Sequence, residues 1–370
     1  MTDTDNDTQQ TSRQVWLDFL QSQGATISNG IVVGFTTVDN TTKGATSSSE
    51  NTLLCDLSSR GIIKVSGEEA QSFLQNQFCN DLHNLNDTVS QLNGYCTPKG
   101  RLLAFFRLWQ QNDCYYFSLP RERLAATLKR LQMYVLMSKV KLSDASDTMV
   151  SIGIAGNHTE ALLREHFGVD SQALPTQVDQ CLHHNEMTLI RVSGNTPRFE
   201  ISGPITSIMN LWQQLSANTS PASEAAWQLL DIQAGVPQIV DATAEAFVPQ
   251  MVNLELINAL SFKKGCYPGQ EIVARTHYLG KQKRRMYLAH VDTPTPPSAG
   301  DIIVALNDSS GQSVGTVVSA AAAANGGADL LAVLQIAQAN EAELVLATDQ
   351  NTHLTLKDLP YSVEVEGSAK

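Results

Sequence analysis

Lys263–Arg285, KKGCYPGQEIVARTHYLGKQKRR, is the densest signal in the chain. It carries seven Lys or Arg and one Glu, although 37 acidic against 25 basic residues give the whole chain a formal net charge of −12. Gly265, Pro268 and Gly269 oppose regular structure ahead of Gln270, so Cys266 reads as a residue on a tight turn. A thiol beside Lys263, Lys264 and Arg275 has its thiolate favoured by positive charge. The plain alternative is a small buried hydrophobe on a glycine-shaped bend. Gly280 is expected to turn the chain between two strands and keep Lys281–Arg285 on the same side as Cys266. Those basic residues also read as a solvated strand edge protected from pairing.

Downstream, the character changes after Pro294–Pro297. Short strands are expected at Asp301–Leu306, Gly315–Ser319, Leu330–Ile336 and Glu343–Ala347, the spacing of a small β-barrel or sandwich. Upstream, a strand at Ser151–Ala155 precedes a helix capped by Asn157 and Glu160. Strands at Leu189–Val192 and Arg198–Ile201 and a helix from Pro204 to Leu215 complete a β-α-β-β-α order, which is ferredoxin-like. A further helix, Ser223–Ala234, stops at Gly235 and Pro237.

Nearer the amino terminus, Gly61–Val65 reads as a strand. A capping box of Ser66 and Glu69 then starts a helix with Ala70, Phe73, Leu74 and Phe78 on one face. Strands at Leu102–Trp109 and Tyr115–Leu119 lead, through Ser118 and Pro120, into a helix burying Leu124, Leu128, Leu131 and Val135. Residues 1–13 and the insert Thr36–Thr52 are polar and low in complexity, expected as a disordered tail and a surface loop. No internal repeat is evident.

At 370 residues the chain exceeds one comfortable core, so two or three domains are expected. Its acidity argues against broad binding to a phosphate backbone. The six cysteines form no C-x-x-C pair and no zinc spacing, and read as free thiols. Without a basic-then-apolar leader or an apolar run of about 20 residues, a cytoplasmic protein with no membrane contact is expected.

Lys264–Glu271, KGCYPGQE, resembles the signature of the YgfZ family, a branch of the glycine-cleavage T-protein superfamily. Further similar stretches are FLQNQFCNDL (73–82), YCTPKGRLLAFFRLW (95–109), MYVLMSKVKLSD (133–144), AWQLLDIQAGVP (226–237) and LPYSVE (359–364). The resemblance implies an α+β, three-domain T-protein-like fold. Two α+β units, one of them ferredoxin-like, and a carboxy-terminal β-barrel would surround a central folate-binding hole. Boundaries are expected at 14–147, 148–280 and 281–366.

It further implies a tetrahydrofolate-binding accessory factor for iron–sulfur cluster assembly or repair, supporting iron–sulfur enzymes including tRNA-thiolating ones. The alternative is a folate-dependent one-carbon transferase of the aminomethyltransferase type. Cys266 would be the functional thiol and a transient iron ligand, flanked by Lys264, Gln270 and Glu271. One cysteine cannot hold a cluster alone. Trp227 would stack on the pterin, with helix packing as its plain alternative. Arg60 stands where some members place an aromatic contact, and could stack or pair with folate carboxylates. Gln233 replaces the folate-binding glutamate of the T-protein enzymes. Thr97–Arg101 carries no carboxylate where they place a catalytic aspartate, which argues against aminomethyl transfer. Lys99 and Arg101 suit anions instead. Expected partners are folate and iron–sulfur proteins or assembly factors. Direct tRNA contact through Lys281–Arg285 is the weakest reading, because no interleaved aromatic platform accompanies the charge.

Overall fold

The computed structural model describes residues 12–36, 52–167, 174–280, 282–306 and 312–363. The low-complexity tail, most of the Thr36–Thr52 insert, and Lys281 lie outside them.

The chain opens with α1 (Ser12–Ser22), a hairpin of β1 (Ala25–Ser28) and β2 (Ile31–Phe35), and β3 (Leu53–Asp56). A first α+β unit follows: β4 (Arg60–Ser66), α2 (Ala70–Gln75), β5 (Gln91–Cys96), β6 (Leu102–Gln111), β7 (Cys114–Pro120), α3 (Arg121–Gln132) and β8 (Lys141–Asp144). Its sheet order is β5-β6-β7-β4-β8. The second unit comprises β9 (Met149–Ala155), α4 (Thr159–His166), β10 (Cys181–His184), β11 (Met187–Arg191), β12 (Arg198–Pro204), α5 (Ile205–Ser216) and β13 (Ser220–Ala222). Its order is β10-β11-β12-β9-β3-β13. With β3 set aside, the two sheets have the same topology. Both units therefore share one β-α-β-β-β-α-β plan, one strand longer than the ferredoxin-like order.

The duplication shows in the turns. Gly67 and Gly156, at φ 119° and 140°, leave the first strand of each unit in a conformation a side chain rarely adopts. Pro120 and Pro204 stand at the amino caps of α3 and α5, with φ fixed near the value a helix start needs.

Space and sequence diverge at the amino terminus. β3 pairs antiparallel with β9 and parallel with β13, so it completes the second sheet. Trp16 of α1 meets Trp212 of α5 edge-on at 5.7 Å, and its indole N–H donates to Asp56 at 2.9 Å. The segment 14–147 thus feeds two cores. The helices obey their spacing: α5 buries Ile205, Ile208, Leu211, Trp212 and Leu215, one stripe at i, i+3 and i+4 steps. The Ser66–Glu69 capping box does not form. Glu69 is itself the cap residue without a side-chain bond, and its carboxylate accepts from the Lys139 N–H across the turn.

After the second unit comes α6 (Glu224–Gln233), an irregular run with two 3₁₀ turns, and α7 (Gln270–Tyr278). A closed six-stranded barrel ends the described chain: β14 (Arg284–Val291), β15 (Ile302–Ala305), β16 (Ser313–Ala322), β17 (Ala328–Gln335), β18 (Leu344–Leu346) and β19 (Asp349–Lys357), with the short α8 (Ile336–Glu341) between β17 and β18. β17 alternates Leu330, Ala332 and Leu334 into the barrel with Leu331 and Val333 toward the α+β units. Gly280 does not join two strands; it follows α7, its N–H bonded to the Arg275 carbonyl. Among the described residues no helix is long and apolar enough to cross a membrane.

Candidate functional site

The signature loop is built against α7. Phe262 stacks on His277 at the helix's carboxyl end, with ring centroids 3.8 Å apart. The Gln270 side chain at the amino end donates to the Lys264 carbonyl at 3.2 Å. Residues 262–269 therefore run back alongside the helix, and Cys266 lies on that return. Gly269, at φ 85°, is pressed onto the Thr97–Arg101 turn: a Cβ there would come within 2.4 Å of the Thr97 carbonyl and 2.7 Å of Gly100. The two segments singled out in the sequence thus meet as abutting backbones.

Lys264 does not face the thiol. Its ammonium is buried, donating to the carbonyls of Gln75 (2.5 Å), the last residue of α2, and of Phe78 and Asn80 (3.1 Å) just beyond it. Burial lowers its pKa to about 8. Lys264 is a clamp holding the loop to the first unit, and the expected flanking charge is withdrawn into the protein. Of the six cysteines, Cys55, Cys79, Cys96 and Cys181 are buried, Cys114 is half-buried, and Cys266 alone is exposed. Glu271 is exposed beside it. The basic strip is divided: Lys283 is exposed, whereas Arg285 is buried, paired with Glu255 at 2.6 Å. Among the described residues no three His, Cys, Asp or Glu side chains gather as a metal site.

A second feature is a cavity where both sheets, α6 and the barrel meet. Arg60, Arg107, Arg198, Glu200 and Asp231 form its polar wall, and Leu92, Phe105 and Ile232 an apolar one. Arg60 sits among three carboxylates: Glu200 (2.8 Å), Asp231 (2.9 Å) and Glu224 (3.1 Å). Burial works against the Arg60 charge, but these carboxylates outweigh it and raise the pKa. Glu224 is itself pushed up by burial despite Arg60. Arg107 pairs with Asp179 at 2.5 Å and Arg198 with Asp231 at 2.6 Å. This network leaves about 60 Å³ of free volume. Two buried groups of its wall have no hydrogen-bond partner among the described residues, Arg198 Nη1 and Ser319 Oγ. Such groups are costly unless something binds them.

The expected folate residues divide. Arg60 lines the cavity, committed to its carboxylates. Trp227 does not: it is fully buried, with Gly153 under its six-membered ring and the Arg198 guanidinium 4.9 Å from the ring centroid, so no face is left for a pterin. Gln233 reaches away to Asp329 of the barrel at 3.2 Å, and Arg101 donates to the Ala246 carbonyl at 2.6 Å. Sequence reasoning missed Arg107, Arg198, Glu200, Asp231 and Ser319. A signal existed in Arg198 and Glu200, charged residues that alternate with the apolar Phe199 and Ile201 along one strand.

Residues 33–261 match the family model of the GCVT N-terminal domain. The crystal structure of glycine cleavage system aminomethyltransferase T from Bartonella henselae shares the fold, with a TM-score of 0.70 over 93% of this chain and 96% of that one at 18% identity. The class is thus that of the T-protein-like three-unit proteins. Within it, tRNA-modifying protein YgfZ from Edwardsiella ictaluri is 33% identical over 82% of this chain and 90% of its own length. The YgfZ of Colwellia psychrerythraea is 29% identical over 85% and 95%. The chain belongs to the YgfZ family.

Proposed function

We propose that this protein is a tetrahydrofolate-binding accessory factor for iron–sulfur assembly or repair, acting on enzymes that include tRNA-thiolating ones. The observation that carries it is the exposure of Cys266 alone among six thiols, on a loop braced by Lys264, Gln270 and the Gly269–Gly100 contact. A lone exposed cysteine can donate one ligand to iron or capture one electrophile. It cannot complete a cluster site, so a client protein must bring the other ligands. The relatives' description as tRNA-modifying supports such clients.

The cavity wall offers contacts of the kind a folate would use. Arg198 Nη1 would donate to an oxygen of the ligand and Ser319 Oγ would bond a polar edge, while Leu92, Phe105 and Ile232 offer flat apolar contact. When bound, tetrahydrofolate supplies a one-carbon carrier. Admission requires the Arg60 side chain to swing from its carboxylates, because the present free volume is too small. Glu200 and Asp231 are each held by arginines and the Thr97–Arg101 turn has no carboxylate, so no free base stands ready for aminomethyl transfer.

A strain lacking the protein, complemented with wild type or Cys266→Ala, tests the role. Wild type restores tRNA thiolation and iron–sulfur enzyme activity, and Cys266→Ala, folded by circular dichroism, does not. Full restoration by Cys266→Ala overturns it.

A further inference from the structure

We infer that the carboxyl end of α7 and the groove beside it form a docking surface for single-stranded RNA. The site is separate from the central cavity and does not depend on folate. Three observations converge on it.

The first is charge. Lys263, Arg275 and Lys283 are exposed and Arg284 half-exposed, and none of the four side chains has an ion-pair partner among the described residues. In a chain of net −12, where most other arginines are committed to carboxylates, four cations without ion-pair partners on α7 and on the segments that enter and leave it are an anion-binding surface. The second is stacking. Phe262 and His277 lie nearly parallel, 13° apart, and the Tyr278 ring stands edge-on to His277 at 4.7 Å while remaining 66% exposed. Phe262 is half-buried and packs against the core below. An aromatic platform ringed by cations is what a single strand uses, bases on the rings and phosphates on the ammonium groups. It is hidden in the sequence, because Phe262 and His277 are fifteen positions apart and meet only when the loop folds back along α7.

The third is the groove, about 530 Å³ of free volume bounded by Phe262 and Lys263 at one end and Asn84, Asn258 and Val178 along its walls. Asp179 also lines it, but Arg107 neutralises that carboxylate. The Asn84 and Asn258 side-chain amides offer both donors and acceptors, suited to base edges and to a ribose 2′-hydroxyl, which favours RNA over DNA.

The test is fluorescence anisotropy of a labelled oligouridylate of about 12 nucleotides, within the site sizes such platforms cover. Binding should weaken with salt at a slope of about −3 in log K against log concentration, from four contacts at about −0.7 each. Tyr278→Ala should weaken binding about tenfold. The pair Lys263→Ala and Arg275→Ala should flatten the slope by about 1.4. All three are exposed positions, so melting temperatures should not move. Deoxyuridylate of equal length binding as tightly, or polyglutamate doing so as a protein-like polyanion would, overturns the assignment to RNA. So does a salt slope near zero, or affinity unchanged in Tyr278→Ala.

Discussion

Lys264→Met asks whether this motif lysine is a clamp or a chemical group. Its ammonium satisfies the carbonyls of Gln75, Phe78 and Asn80, and the residue is 7% exposed. Methionine matches the length but donates nothing. Each buried carbonyl left unpaired costs roughly 1–3 kcal/mol, so a loss of about 3–5 kcal/mol is expected once the turn relaxes. That is a large share of a stability of about 5–15 kcal/mol. The sign with pH is also set. Burial depresses the folded pKa to about 8 from an ordinary 10.5. Between these values the unfolded chain holds a proton that the folded chain has released, so this group's contribution to stability rises with pH. From pH 7 to pH 9 the wild type should therefore gain on Lys264→Met by about 1 kcal/mol. Urea unfolding at the two pH values, followed by circular dichroism, measures both quantities. A loss below about 1 kcal/mol at pH 7 would refute the clamp, and a gap that does not widen by pH 9 would refute the depressed pKa.

Gly269→Ala should displace the signature loop and change the iodoacetamide alkylation rate of Cys266, because its Cβ meets backbone at 2.4 Å and its φ of 85° suits glycine; Gly265→Ala, which meets nothing within 4 Å, should leave the rate unchanged. Arg60→Met should destabilise by about 3–5 kcal/mol at pH 7 by taking the buried cation from three carboxylates and leaving Glu224 without an ion-pair partner among the described residues. In circular-dichroism melts of both proteins that penalty should shrink toward pH 5, as Glu224, already raised by burial, takes up a proton. Trp227→Phe should lower the melting temperature while leaving folate affinity within about twofold in calorimetry, since Arg198 and Gly153 cover the ring and no ligand can.

Much of this architecture was legible in the residues. Apolar alternation located four of the six barrel strands, and the 3.6-residue stripe of α5 lies within one residue of its expected span. β14 was obscured because it begins in a basic run that reads as surface, yet Arg285 is buried by pairing with Glu255. The duplication of the α+β units left only traces, Gly67 with Gly156 and Pro120 with Pro204, too sparse to read as a repeat. β3 could not be assigned to the second sheet because strand pairing across about a hundred residues leaves no local mark. At the site, the motif identified Cys266 correctly as exposed. It misled about Lys264, since sequence adjacency does not say which way a long side chain turns. Trp227 was drawn toward ligand stacking by its aromatic face, whereas Gly153 is the residue that makes room for it.

Titration of tetrahydrofolate into wild type and Ser319→Ala by calorimetry tests the cavity most directly. Ser319 Oγ is buried and unpartnered among the described residues, so its removal should leave the melting temperature unchanged or slightly raised. One binding site in the wild type, weakened about two- to tenfold in Ser319→Ala at unaltered stability, is the expected result, since a single hydrogen bond contributes about 0.5–1.5 kcal/mol. No heat of binding in the wild type, or equal affinity in both proteins, would place the folate elsewhere or nowhere.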